Sequence, residues 1–268
     1  MRDEVESSRK QLLDELEGAI RPGYEPIIFI GRVSSAIPLL FQRNGLRKKE
    51  FLYYLDLCGV RSLPIVLAIC FLMGAVLAIN GQIQLSKVGT EIYVVDAVGF
   101  SVLKVLGPLM VAIMATGRAG SAFAAEIGTM KVDEEISALA TLGIRPEAYL
   151  VLPKLLALLV ALPVLTVFGD LAGLLGGMAI GVTSMGITPA AYWSRSVEVL
   201  DSITFLLGAA KSFVFAVLIT LAGCYCGFNA SSDAQGVGRA ATSAVVVSIF
   251  LVVIAEAVLT ILYSFIGY

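Results

Sequence analysis

The sequence contains no histidine and few charged residues, and these two shortages narrow the chemistry it can perform. Without histidine, a serine–histidine nucleophile pair cannot form, and the commonest side-chain ligand of metal sites is missing. Only 15% of the 268 residues are charged whereas 58% are hydrophobic, which lies well outside the composition of a soluble domain. A formal net charge of -2 gives no reason to expect a nucleic-acid partner.

The sequence also has few cysteines and no phosphate-binding loop motif. The four cysteines include Cys224 and Cys226, which lie within an apolar run, where we expect them to behave as small hydrophobic residues. No Gly-x-x-x-x-Gly-Lys-Ser/Thr motif occurs, so the chain is not expected to hydrolyse ATP by the P-loop route.

The hydrophobic residues form five stretches that are each long enough to cross a hydrocarbon core of about 30 Å. The predicted spans cover about residues 63–80, 98–127, 149–180, 203–227 and 241–266. The third span contains Pro163, so we expect a kink or a strong tilt there. The sequence therefore predicts an all-α integral membrane protein, with a cytoplasmic or interfacial segment at 1–62 and a transmembrane domain at 63–268.

The positions of Lys and Arg predict the orientation of these spans. More than half of the 19 basic residues precede the first span. The loop between the second and third spans is flanked by others, among them Arg118 and Lys154, whereas two loops hold only Lys87 and Arg195, one each. By the positive-inside rule the N-terminus is cytoplasmic, and five crossings place the C-terminus on the periplasmic side.

Two shorter segments precede the spans. Residues 1–20 place Leu12, Leu13, Leu16 and Ile20 on one face of a predicted helix. Residues 25–57 combine aromatic and aliphatic residues with arginines and lysines, which is typical of a helix lying on the inner leaflet. An ordinary cytoplasmic helix packed on a partner is the alternative.

The third span carries a glycine at every fourth position: Gly169, Gly173, Gly177 and Gly181. Such a stripe lets another helix approach closely. It predicts helix packing, within the chain or across a dimer, and no chemistry.

Four ionisable residues lie inside predicted spans, namely Lys104, Asp170, Lys211 and Glu256. Such residues are costly in a membrane and are functional candidates. Counted from the outer helix ends, all four fall in one layer roughly 10–15 Å below the outer surface. Two interpretations remain open: buried ion pairs that neutralise one another, or the polar lining of a cavity that receives a lipid head group. Because Asp170 is the only aspartate in a span, an intramembrane aspartyl dyad is excluded.

The segment from Gly117 to Ile144 begins at the inner end of the second span and continues into a cytoplasmic loop. Residues Val132–Leu142 predict a short amphipathic helix whose first turn is acidic, which the helix dipole favours. Gly143 offers a C-cap. Docking on a soluble partner and a simple connecting loop are both compatible with this pattern.

The segment Gly117–Leu150, together with Leu103–Leu109, resembles the signature of the MlaE family of permeases, which belong to ABC transporters associated with MCE-domain proteins. The similarity covers about Phe51–Phe265 and includes Gly236–Thr242. The resemblance implies a homodimeric inner-membrane permease that moves phospholipids between that membrane and an MCE-domain lipid-binding protein. It also implies a separate cytoplasmic ATPase subunit, which holds ATP and Mg, and a small cytoplasmic regulatory subunit of STAS-like type. No cofactor is expected in this chain.

The resemblance also assigns residue roles. A coupling helix at about 130–142 and the positions before it would contact the ATPase: Arg118, Glu126, Gly128, Thr129, Met130, Glu134, Glu135, Ile136 and Leu139. The expected lipid pathway comprises Lys104, Lys211, Glu256 and Asp170. Where some relatives carry an acidic residue before Leu106, this chain has Val105, so no role of that carboxylate transfers. An ion-coupled secondary transporter is the alternative, although we find no internal duplication.

Overall fold

The structure, a computed structural model, describes residues 25–36, 38, 48–88, 93–199 and 202–266. These ranges contain nine α-helices and no β-strand. The helices are α1 (25–36), α2 (Lys48–Cys58), α3 (Leu63–Leu85), α4 (Tyr93–Val132), α5 (Glu135–Thr141), α6 (Pro146–Met185), α7 (Pro189–Val199), α8 (Ser202–Phe228) and α9 (Ala234–Ile266). The helix predicted at residues 1–20 lies outside the described residues.

Five helical units are long and apolar enough to cross a membrane, namely α2–α3, α4, α6, α8 and α9. The predicted all-α class with five spans is therefore confirmed. The helices continue beyond the predicted spans, since α4 and α6 are each 40 residues long. In the first unit, α2 leads into α3 through Gly59 and a short 3₁₀ turn at Val60–Ser62.

The helix α4 contains two π-helical turns, at Val102–Leu106 and at Thr116–Gly120. Such turns insert one extra residue into an α-helix and are frequent at functional sites. The first turn contains Lys104 and the second contains Arg118. Hydropathy gives no signal for them, because a π turn leaves the apolar composition of the span unchanged.

The glycine stripe of α6 packs inside the chain. A methyl group at Gly173 would collide with the side chain of Val102 on α4. Methyl groups at Gly177 and Gly181 would meet the Tyr192 ring on α7. The alternatives left open by the sequence are thus decided in favour of intramolecular packing, which makes α6 the most buried of the spans.

We expect Gly74→Ala to destabilise the fold, because Gly74 on α3 faces the backbone of α6. A methyl group there would overlap the carbonyl oxygen of Gly173, and a backbone atom cannot swing aside. The expected cost is about 1–3 kcal/mol, visible as a lower melting temperature in detergent. Gly238→Ala in α9 is the control, since nothing lies near its added methyl group. Equal melting temperatures for the two variants would contradict this packing.

The helix α7 lies at the end of the bundle opposite α5. It was not predicted from the sequence. It begins at Pro189, and the hydroxyl of Thr188 accepts a hydrogen bond from the Ala191 N–H at 3.3 Å. A threonine followed by proline is a usual helix start, so a local signal was present.

Candidate functional site

The connection between α4 and α6 holds the short helix α5. The chain reverses at Glu134, which adopts a left-handed conformation (φ 59°), and α5 begins at Glu135 instead of at Val132 as predicted. Val132 is the last residue of α4, so the predicted coupling segment is divided between two helices. At the other end Gly143 has φ 74°, and its N–H donates to the carbonyl of Ala140 at 3.0 Å, which confirms the predicted cap.

The apolar side chains of α5 do not all face outward. Ile136 and Leu139 are half-buried and pack against the hydrophobic core of the chain itself. Leu142, just after the helix, is 74% exposed. Glu134 and Glu135 are also exposed. The surface available to a partner therefore includes acidic residues and two large apolar side chains, Leu142 and the less exposed Ile144.

The residues before α5 pack against the loop between α8 and α9. Gly128 is buried beside Ala230 and Val237. The Lys131 ammonium donates a hydrogen bond to the Phe228 carbonyl at 2.8 Å, at the C-terminus of α8, where a cation is favourable. Thr129 bonds within its own helix, and Met130 packs on the core.

A polar cluster lies next to this region and joins three helices. The Tyr54 hydroxyl on α2 donates to Glu126 Oε1 on α4 at 2.5 Å. Lys154 Nζ on α6 donates to the Tyr54 hydroxyl at 2.8 Å and to Glu126 Oε1 at 3.2 Å. Lys154 is fully buried (0% exposed), and its Nζ lies 4.4 Å from the centre of the Tyr54 ring.

From the sequence, Lys154 was identified only as a residue flanking a loop, and Tyr54 was given no role. A signal for Lys154 did exist, because it follows the apolar residues Leu150 to Pro153 and precedes a longer apolar run. Its partners could not be identified, since Tyr54 is 100 positions away in the chain. Arg118, which lies in the second π turn of α4, is half-buried.

A second cluster lies within the membrane around the first π turn of α4. Lys211 on α8 is fully buried, and its Nζ forms an ion pair with Glu256 Oε1 on α9 at 2.5 Å. The same Nζ donates to the Lys104 carbonyl at 2.8 Å and to the Thr260 hydroxyl at 3.1 Å. Pro108 explains the first of these bonds, because proline has no N–H to donate to the carbonyl four residues earlier.

Asp170 on α6 lies at the same level of α4, against Gly107. It is 3% exposed, and its Oδ1 has no hydrogen-bond partner among the described residues. A methyl group at Gly107 would overlap this oxygen. The four membrane charges thus share one layer, yet only Lys211 and Glu256 form an ion pair; the Lys104 side chain is half-buried.

At the end of the bundle away from α5, Arg195 on α7 binds Asp96 on α4. Its Nε and one terminal nitrogen donate to the two carboxylate oxygens at 2.9 and 2.7 Å. This hydrogen bonding raises the pKa of the Arg195 guanidinium above its usual value. The pair fixes α7 to α4, and sequence could not show it because the residues are 99 positions apart.

Comparison with known proteins gives a family match and several similar permeases. The permease MlaE family matches residues 51–262. A probable ABC transporter permease of Rickettsia conorii is 38% identical over 205 residues, covering 76% of this chain and 79% of the relative. The intermembrane phospholipid transport system permease protein MlaE of Haemophilus influenzae is 32% identical over 203 residues, or 75% and 78% of the two chains. A probable ABC transporter permease of Synechocystis is 32% identical over 214 residues, or 80% and 81%.

Proposed function

From the premise that this chain belongs to the MlaE permease family and is an ABC transporter permease, we propose that it forms the lipid pathway of a phospholipid transporter. It would move phospholipids between the inner membrane and an MCE-domain lipid-binding protein. Hydrolysis of ATP would take place in a separate cytoplasmic ATPase subunit, which would hold ATP and Mg. The working unit would be a homodimer of this chain, to which a STAS-like regulatory subunit could bind on the cytoplasmic side.

The observation that carries the lipid substrate is the similarity to the Haemophilus influenzae phospholipid permease, which extends over three quarters of this chain. The positions of the polar residues support it. Lys104 lies at a π turn with its side chain half-buried, and the fully buried pair of Lys211 and Glu256 binds the backbone beside it. An ammonium group at this depth would attract a lipid phosphate.

A separate ATPase is supported by two features. The sequence contains no P-loop motif. The helix α5 is short, lies between two spans and presents exposed acidic residues with Leu142, a composition suited to docking in a partner groove.

The proposal is tested with the complex purified from its native membrane and reconstituted in liposomes containing fluorescent phosphatidylethanolamine. We expect transfer of the labelled lipid to an added MCE-domain acceptor only when ATP and Mg are supplied. Transfer that ignores ATP but stops when an uncoupler collapses the ion gradient would indicate an ion-coupled transporter instead.

The proposed orientation predicts the side on which the C-terminus lies. The end of the bundle that carries α5 also carries Arg32, Lys131 and Arg145, whereas the other end carries Lys87 and Arg195. This asymmetry favours a cytoplasmic α5. Alkaline phosphatase fused after Tyr268 should therefore be active, and the same reporter inserted after Ser232 should be inactive. The reverse pattern would invert the orientation and remove α5 from the reach of ATP.

A further inference from the structure

The helix α5 connects α4 and α6, which we call its two legs. An ion pair joins these two helices close to their cytoplasmic ends. Glu126 lies six residues before the end of α4, or about 9 Å along the axis. Lys154 lies eight residues after the start of α6, or about 12 Å. Their ion pair, at 3.2 Å, joins the two legs below the helix that they present. We call the ion pair of Glu126 with Lys154 the brace, because it holds α4 and α6 together.

This brace is also attached to the first span. Tyr54 on α2 bonds to both Glu126 and Lys154, and its ring packs edge-on against Phe123 of α4 with 5.8 Å between centroids. The Lys154 ammonium has no exposure to solvent, and within the described part of the chain its hydrogen-bond partners are Tyr54 and Glu126. Three helices therefore meet at a single buried cation.

We propose that Lys154 is a positioning residue for energy coupling: with Glu126 and Tyr54 it joins α2, α4 and α6 so that they move together when α5 is displaced. This inference rests on the proposed function, in which an ATPase acts on α5. Without the brace, α5 could still dock, but its displacement would be absorbed by independent motion of the two legs. The consequence would be ATP hydrolysis that moves little lipid.

The unequal burial of the pair allows structural and coupling roles to be separated. The Glu126 side chain is 38% exposed, so in Lys154→Met its carboxylate stays in contact with water. In Glu126→Gln a fully buried ammonium loses its counter-charge, and we expect a lower yield of folded protein. The double variant Lys154→Met/Glu126→Gln removes both charges, so the yield should recover.

The experiment uses the complex of each variant with its ATPase, reconstituted as above. Four quantities are measured: folded yield, ATPase recovered per permease, ATP hydrolysed, and labelled phosphatidylethanolamine transferred per ATP. We expect Lys154→Met, which leaves Glu126 in place, to match the native chain in the first three quantities and to transfer about tenfold less lipid per ATP. Tyr54→Phe, which keeps the ring and loses only the hydroxyl, should lower the ratio by about threefold.

The control is the exposed ion pair of Asp56 with Arg61, whose paired atoms lie 2.8 Å apart. Asp56 is close to Tyr54 near the C-terminal end of α2. The variant Asp56→Asn/Arg61→Met should keep the native ratio of lipid to ATP. Native ratios in both Lys154→Met and Tyr54→Phe would overturn the inference while leaving the proposed function intact. Absence of ATP-dependent transfer by the native complex would instead refute the proposed function, and the inference with it.

Discussion

Leu142→Gln should weaken the association of this chain with its ATPase by about 30-fold, a loss of about 2 kcal/mol. Leu142 is the most exposed large apolar side chain of the α5 region, at 74%, so its substitution should have little effect on folding. Glutamine has a similar volume and no charge, so the change removes apolar contact without altering electrostatics. The measurement is a titration of the purified ATPase onto the detergent-solubilised permease.

Substitutions on the inner side of α5 serve as a contrast. Because Ile136 and Leu139 pack against the core, replacing them by Asp should lower the folded yield as well as ATPase binding. Such variants cannot distinguish docking from folding, whereas Leu142→Gln can. Binding should also weaken as salt is raised, since Glu134 and Glu135 would attract a basic rim on the partner.

Gln235→Asp, in the first turn of α9, is the comparison variant of this test. Gln235 is exposed at the same end of the bundle, so its substitution should leave ATPase affinity unchanged. If Gln235→Asp weakens binding while Leu142→Gln does not, the docking element is the start of α9 and not α5.

The second large effect concerns the membrane ion pair. Glu256→Gln should destabilise the fold by about 3–5 kcal/mol, because the fully buried Lys211 loses its counter-charge. Lys211→Met should cost a similar amount by isolating the Glu256 carboxylate. The double variant should recover most of the loss, and the remainder, about 1–3 kcal/mol, would reflect the Lys104 carbonyl left without its donor. Thermal unfolding in detergent measures all three.

Lys104→Met is the control for this pair. The Lys104 side chain is half-buried and forms no ion pair among the described residues, so its loss should change stability by less than about 1 kcal/mol. If its ammonium binds lipid phosphate, transfer in the reconstituted assay should nevertheless fall. A double variant of Lys211 and Glu256 as unstable as either single variant would show that the ion pair is not what the fold requires.

Much of the fold was predictable because its signals are local. Five apolar runs predict five spans, since each crossing needs about 20 consecutive apolar residues whatever their neighbours are. The C-cap at Gly143 was likewise predictable, because the left-handed conformation there favours glycine. The π turns of α4 were not, since they depend on how the helix fits its neighbours and leave hydropathy unchanged.

The polar sites show the same division. Sequence alone determined that Lys104, Asp170, Lys211 and Glu256 lie in the membrane, because depth follows from position along a helix. Only the tertiary structure decided which of them meet: Lys211 pairs with Glu256, whereas Asp170 lies against Gly107 of α4. It alone joined Lys154 to Tyr54 and Glu126, since the side on which a buried charge finds its partner is set by the packing of distant helices.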